Sequence, residues 1–255
     1  MVVGLPAFAR VPFPEYCPMP SRKPSTSRAV VASISIQLCL AAAAFITVAS
    51  ERVAVAGPQT SELTAEDIGQ RVQAFYDKTA SFRATFEQKY LIKSTGIEKK
   101  SNGEVIFEKP GKMSWRYKNN GNRVVSDGRF IRVYERDNRQ MFESEMGKTP
   151  YPAALAFLVG DGKLITSFTL RKLDAKQMKF EGGWVLEAKP KEASPAYQTM
   201  ILYVDGTTAQ VRRVLLLDAQ GNRNRFDFSK PNVNAKVEPG EFAFAAPAGT
   251  QIVRQ

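Results

Sequence analysis

The chain has no histidine among its 255 residues, which removes His-centred triads, imidazole general bases and His-ligated zinc or haem. Cysteine is almost as scarce. The two present, Cys17 and Cys39, lie in the first fifth of the chain, so the foldable remainder lacks a disulfide, a thiolate nucleophile and a Cys-ligated metal. There is also no block of one charge: 36 basic and 25 acidic residues give a net +11, with the cations spread along the chain. That spread favours a solvated outer face over a nucleic-acid interface. Hydrophobic residues at 44% and aromatics at 10% are globular proportions, and the length fits one domain.

The N-terminal region accounts for the cysteines. Residues 1–28 carry Pro6, Pro12, Pro14, Pro18, Pro20 and Pro24 and build neither helix nor ladder. Arg22, Lys23 and Arg28 then precede an uncharged run from Ala29 to Ser50, followed by the A-x-A pattern Ala54-Val55-Ala56. This predicts a secretory signal peptide cleaved after Ala56, with Met19 as a more ordinary start and residues 1–18 untranslated. The alternatives are an uncleaved transmembrane anchor and a lipoprotein modified at Cys39, where Leu38 stands in place of the small residue that a lipobox needs. Cleavage removes five basic and two acidic residues and leaves 57–255 as one exported domain with a charge of about +8.

Thr64-Ala65-Glu66-Asp67 opens a helix by a capping box, and Ile68, Val72, Phe75, Tyr76 and Thr79 form one apolar stripe along it. From Ser81 the period becomes two. Phe82, Ala84, Phe86 and Tyr90 alternate with charged or polar neighbours, as do Met113, Trp115 and Tyr117, then Trp184 and Leu186, then Phe226 and Phe228. Gln88 is the exception. Turn signals punctuate the strands at Asn102-Gly103, Pro110-Gly111, Asn120-Gly121, Asp127-Gly128, Asp205-Gly206 and Gly221-Asn222. About eleven short antiparallel strands with one aromatic face predict a barrel or strongly curved sheet. Phe86, Tyr90, Met113, Trp115 and Tyr117 are expected to point inward, lining either a filled core or an acyl-chain site. Thr149-Pro150-Tyr151-Pro152 leads into Ala153–Gly160, an apolar stretch that reads as a short helix, either plugging the core or acting as a lid, with Leu155, Phe157 and Leu158 facing the interior.

Catalytic motifs are weak. Gly147-Lys148-Thr149 resembles the end of a phosphate loop, but Phe142 occupies the place of its first glycine. Gly160-Asp161-Gly162 lacks the third glycine of a dinucleotide site. The carboxylate pairs Glu143 with Glu145 and Glu135 with Asp137 have the composition of a glycosidase pair, although two-apart acids on a strand normally face solvent.

Several segments, in order and spacing, resemble the periplasmic outer-membrane lipoprotein carrier proteins, the LolA family. These are Ser81–Lys89, Glu108–Arg116 with Val125-Ser126-Asp127-Gly128 after it, Gly147-Lys148-Thr149-Pro150, and Phe242-Ala243-Phe244 with Pro247, Gly249 and Val253. The resemblance implies an open antiparallel barrel whose mouth is closed by an N-terminal helix and a lid helix, without a cofactor. It further implies a monomeric periplasmic carrier that binds the acyl chains of lipoproteins, receives them from an inner-membrane ATP-driven transporter and delivers them to an outer-membrane acceptor. In the family an arginine before the proline of the Glu108–Arg116 motif helps hold the lid, and that position is Lys109 here, which lacks the planar fork. An acyl chain exposed to water costs roughly 0.8 kcal/mol per CH₂, so a long chain costs more than about 10 kcal/mol and needs cover in transit. Two other classes stay open. One is a periplasmic lipid-sensing regulator with the same half-barrel, which usually adds a second domain not expected after Gln255. The other is a lipid- or glycan-acting enzyme using carboxylates.

Overall fold

The computed structural model describes residues 62–146 and 163–254. The proposed signal region and the Ala153–Gly160 segment, with Leu155, Phe157 and Leu158, lie outside the described residues.

Helix α1 (Ala65–Asp77) starts as its sequence predicts. The Thr64 hydroxyl accepts from the Asp67 amide at 3.1 Å and the Asp67 carboxylate accepts from the Thr64 amide at 3.0 Å, so two of the orphan donors at the helix start are satisfied reciprocally. Ile68, Val72 and Tyr76 are buried on one face of this helix, while Phe75 is only half-buried.

Twelve strands follow, one more than the alternation predicts: β1 (Ser81–Leu91), β2 (Glu98–Glu108), β3 (Lys112–Tyr117), β4 (Arg123–Asp127), β5 (Phe130–Glu135), β6 (Gln140–Glu145), β7 (Phe168–Leu173), β8 (Gly183–Pro190), β9 (Thr199–Asp205), β10 (Val211–Leu217), β11 (Arg223–Val233) and β12 (Gln251–Arg254). A one-turn helix, α2 (Leu164–Ser167), precedes β7. All twelve strands form one sheet in the order β12-β6-β5-β4-β3-β2-β1-β11-β10-β9-β8-β7, so among the described residues β12 and β7 are its edges and the barrel is open. Every neighbour pair is antiparallel except β6 with β12, which is parallel. The expected all-antiparallel pairing fails at that edge because the chain travels from β11 along the outside of the sheet before it rejoins β6.

One turn signal also resolves differently. Gly103 sits inside β2, opposite Phe86 on β1 and Tyr117 on β3. A Cβ there would stand 2.8 Å from the Phe86 ring and 1.9 Å from the Arg116 carbonyl, so the missing side chain makes room for the ring instead of making a turn. The other five signals lie at strand junctions.

Register carries the apolar residues to one concave face. Phe82, Ala84 and Phe86 of β1 align with Phe107, Val105 and Gly103 of β2, and Met113 and Trp115 of β3 continue the same rows. With Val214, Leu202 and Leu186 from the other half of the sheet, these residues form one core cluster under Ile68, Val72 and Tyr76 of α1. The convex face is less bare than dispersed charge predicts. Phe242 and Phe244 lie over β3 to β5, with the Lys112 ammonium 5.6 Å from the Phe242 ring and the Arg123 guanidinium 5.3 Å from the Phe244 ring. Val185, Ile201 and Tyr203 form a second small core on that face, covered by Met178 and Phe180.

Candidate functional site

The concave face is a wall of interlocked aromatics. Phe86 packs edge-on to Trp115 at 4.9 Å and to Tyr117 at 5.1 Å between centroids, and Trp115 contacts Phe107 at 5.8 Å and Phe226 at 5.2 Å. Each such ring contributes by burial, about 1.5–3 kcal/mol for a fully covered Phe or Met, and somewhat more through edge-to-face geometry. The structure brings Phe86, Met113, Trp115 and Tyr117 into this one cluster, all below 5% exposed. Tyr90, the fifth inward residue, lies at its end and is half-buried.

Sequence reasoning did not single out the inner-face residues that remain partly open. Val133 of β5, Leu216 of β10 and Phe228 of β11 pack against the cluster without being enclosed by it. The alternation of Phe226 and Phe228 was the signal for one of them. For Val133 and Leu216 the signal was weaker, because their neighbours Tyr134 and Leu215 are apolar too.

Several polar groups are built into the wall. Gln88, the inward exception in β1, donates from Nε2 to Asn224 Oδ1 at 2.8 Å, so two buried amides satisfy one another. Desolvation, aided by the Asp218 carboxylate, pushes the Tyr90 phenol up to about 12, and burial pushes Tyr197 up to about 12 as well. Burial likewise raises Tyr76, whose hydroxyl oxygen accepts from the Val211 amide at 3.2 Å. All three phenols are therefore uncharged at neutral pH, and Glu135, two residues beyond Val133 on the same face of β5, adds a buried acidic side chain to this otherwise apolar surface.

Helix α1 closes this face through a small set of polar ties. Gln73 Oε1 accepts from the Leu164 amide at 2.7 Å, fixing α1 to the start of α2. Tyr76 reaches β10 through its hydroxyl. Lys109, in the turn between β2 and β3, donates from Nζ to the Tyr76 carbonyl and, at 3.3 Å, to the Asp77 carbonyl. It thereby places a cation on the C-terminal carbonyls of a helix that has no basic residue in its own last turn. The carbonyls Lys109 holds among the described residues are those of α1; the lid segment expected to supply them lies outside that set.

A groove of about 400 Å³ runs where α1 meets the sheet, lined by Phe75, Ala74, Trp184 and Ala209 with Arg71 and Lys78 at its rim. The Arg71 guanidinium sits 5.7 Å from the Trp184 ring. A second groove, of about 570 Å³, lies on the convex face beside Phe242 and Phe244. Two residues that line the first groove, Trp184 and Phe75, pack against the concave-face cluster.

The carboxylate pairs do not assemble as acid and base. Glu143 accepts from Arg132 Nε at 2.8 Å and Arg254 Nε at 3.1 Å, and the Arg132 hydrogen bond is the main cause holding its carboxyl below the usual range. That is opposite to what a general acid needs. Glu135 is buried and accepts from Asn138 Nδ2 at 2.7 Å, whereas Asp137 is exposed beside Arg136.

This architecture, an open curved sheet with an apolar concave face and a helix laid over it, is that of a carrier for an apolar ligand. Residues 77–245 match the family described as outer membrane lipoprotein carrier protein LolA, and the chain belongs to that family. An outer-membrane lipoprotein carrier protein of Nitrosospira multiformis is 31% identical over 199 residues, covering 77% of this chain and 92% of that protein. The Nitrosomonas europaea protein of the same name is 28% identical over 188 residues, covering 72% of this chain and 87% of its own. A solved LolA superfamily structure from Nitrosomonas europaea aligns with a TM-score of 0.41 at 12% identity, over 72% of this chain and 99% of that chain.

Proposed function

We propose that residues 57–255 form a periplasmic carrier, exported by a signal peptide cleaved after Ala56, which shields the acyl chains of lipoproteins between membranes. The observation that carries this reading is the concave face: an apolar aromatic cluster, partly open at Val133, Leu216 and Phe228. Such a surface suits a hydrocarbon chain, whose transfer from water is favourable by about 0.8 kcal/mol per CH₂ and needs no directional partner. The α1 groove adjoins that face at Phe75 and Trp184, and its volume lies within the range of small-molecule sites.

The chemistry is binding and release, with no reaction step. Because α1 covers the face that a ligand would occupy, closure competes with loading, and the polar ties of Gln73, Tyr76 and Lys109 set how strongly. Energy to load the carrier comes from an ATP-driven transporter in the inner membrane, and an outer-membrane acceptor with a more favourable site takes the cargo.

The test contrasts two inner-face substitutions. Phe228 is half-buried and Met113 is 2% exposed. Phe228→Glu is expected to keep the fold while reducing affinity for a fluorescent fatty-acyl probe by tenfold or more. Met113→Glu places an unpaired carboxylate in the closed cluster and is expected to destabilise the whole domain by several kcal/mol. A Phe228→Glu protein that binds the probe like wild type overturns the assignment of this face.

A further inference from the structure

The hairpin joining β1 to β2 carries a feature that acyl-chain shielding does not use. Its two strands are eleven residues each, and the tip is tied by hydrogen bonds. The Ile92 amide donates to the Ile97 carbonyl at 2.8 Å, and the Lys93 amide donates to Asn222 Oδ1 at 3.1 Å, which braces the tip against the neighbouring β10–β11 turn. Gly96, at φ +69°, makes the reversal. This fixed tip holds Ile97 53% exposed.

Cations surround it. Lys89 stands directly opposite Lys100 on β2 and Arg225 on β11, a row of three positive residues across three strands, and toward the tip exposed Lys99 lies one row on, on the opposite face, and exposed Arg223 two rows on, on the same face as Lys89. Like charges in direct cross-strand register destabilise a sheet. Arg225 is answered by Asp227 at 2.6 Å, and Lys100 lies 3.4 Å from an exposed Glu98. Lys89, Lys99 and Arg223 make no ion pair among the described residues. Leu91 and Leu217, half-buried, stand on either side of Arg223 in its row, with Glu98 beyond Leu91.

We infer that this hairpin tip is a docking surface for a membrane bearing anionic lipid headgroups, with Lys89, Lys99, Lys100 and Arg223 at the phosphates and Ile97 at the headgroup–acyl boundary. Charge complementarity fixes the sign of the occupant. The exposed β-branched residue amid lysines selects a lipid surface over an acidic protein, because an interfacial anchor combines these two elements and needs no matching shape. The inference goes beyond the carrier reading and does not require it.

The experiment is vesicle co-sedimentation of the exported protein, with wild type and variants in parallel. Vesicles contain phosphatidylcholine alone or with about one third phosphatidylglycerol. Each basic residue near such a surface strengthens partitioning about fivefold. Wild type is expected to favour the anionic vesicles and to be released by high salt. Lys99→Glu/Lys100→Glu should lower partitioning by tenfold or more and Ile97→Asp by a smaller factor. Lys176→Glu/Lys236→Glu, with the same charge change elsewhere on the surface, should lower it far less. Equal binding to both vesicle types overturns the inference, as does an unaffected Lys99→Glu/Lys100→Glu variant. Binding to soluble polyglutamate but to neither vesicle assigns the patch to a protein and also overturns it. Acyl-probe affinity measured on the same variants stands apart, since a failure of the carrier reading appears there and not in the vesicle comparison.

Discussion

Replacing Lys109 by leucine probes the latch on α1. The substitution keeps the aliphatic stem and removes the two Nζ hydrogen bonds to the Tyr76 and Asp77 carbonyls. Hydrogen bonds from a charged donor contribute about 1.5–3 kcal/mol when sheltered. Lys109 is half-buried and water reaches the exposed Asp77 end, so the pair is discounted to about 1–2 kcal/mol in total. The charge on the helix terminus is part of that figure. Loss of this amount multiplies the population with α1 lifted by about 5- to 30-fold. Amides from Ile68 to Asp77 are then expected to exchange with solvent faster by the same factor, while amides of β1 and β3 change much less. Because closure competes with ligand, the leucine variant should hold an acyl probe more tightly and pass lipoprotein to acceptor membranes more slowly, and Lys109→Arg should shift both in the other direction. Hydrogen exchange resolved by mass spectrometry reads the first effect, and probe titration with a transfer assay reads the others. Unchanged α1 exchange in the leucine variant refutes the latch.

Two further outcomes follow from geometry. Gly103→Ala puts a Cβ within 1.9 Å of the Arg116 carbonyl and 2.8 Å of the Phe86 ring, and should cost more than about 2 kcal/mol, read as a lowered denaturation midpoint with reduced near-UV signal from the aromatic cluster. Glu143 of β6 pairs with Arg132 of β5 and with Arg254 of β12, the second pair tying β12 to β6, and its carboxyl lies below the ordinary value. A lowered folded-state pKa gives stability that is present above the unfolded value and lost as pH falls through the folded one. Exchange at Gln251–Arg254 should therefore rise below about pH 4, modestly because Arg254 is exposed; protection of β12 that is unaltered at pH 3 contradicts this.

What the sequence made legible was periodic. The capping box at Thr64 and Asp67, the apolar stripe of α1, and the inward set Phe86, Met113, Trp115 and Tyr117 all follow from spacing, because burial on one face of a regular element leaves a period in the residues. Failures came where a second constraint replaced the period. Asn102-Gly103 has turn chemistry, yet Gly103 is a glycine for the sake of a ring that arrives from another strand. The run Met200–Val204 is buried at every position, since β9 has the main core on one side and the smaller cluster of Val185 and Tyr203 on the other, and no alternation survives to show which face is inner. Lys109 could be placed before a proline, but its partners, the carbonyls of a helix some thirty residues earlier, are a product of topology. Glu241, whose buried carboxylate meets Arg116, lies in an irregular segment with no period to betray it.

The most direct measurement of the central claim is native mass spectrometry of the protein recovered from the periplasm of an expressing Gram-negative cell. The carrier account predicts a mature chain beginning at Gly57, part of it with added mass that dissociates as an acylated polypeptide, and loss of that species in the Phe228→Glu variant. A folded protein that carries no acylated species, in wild type as in the variant, contradicts it.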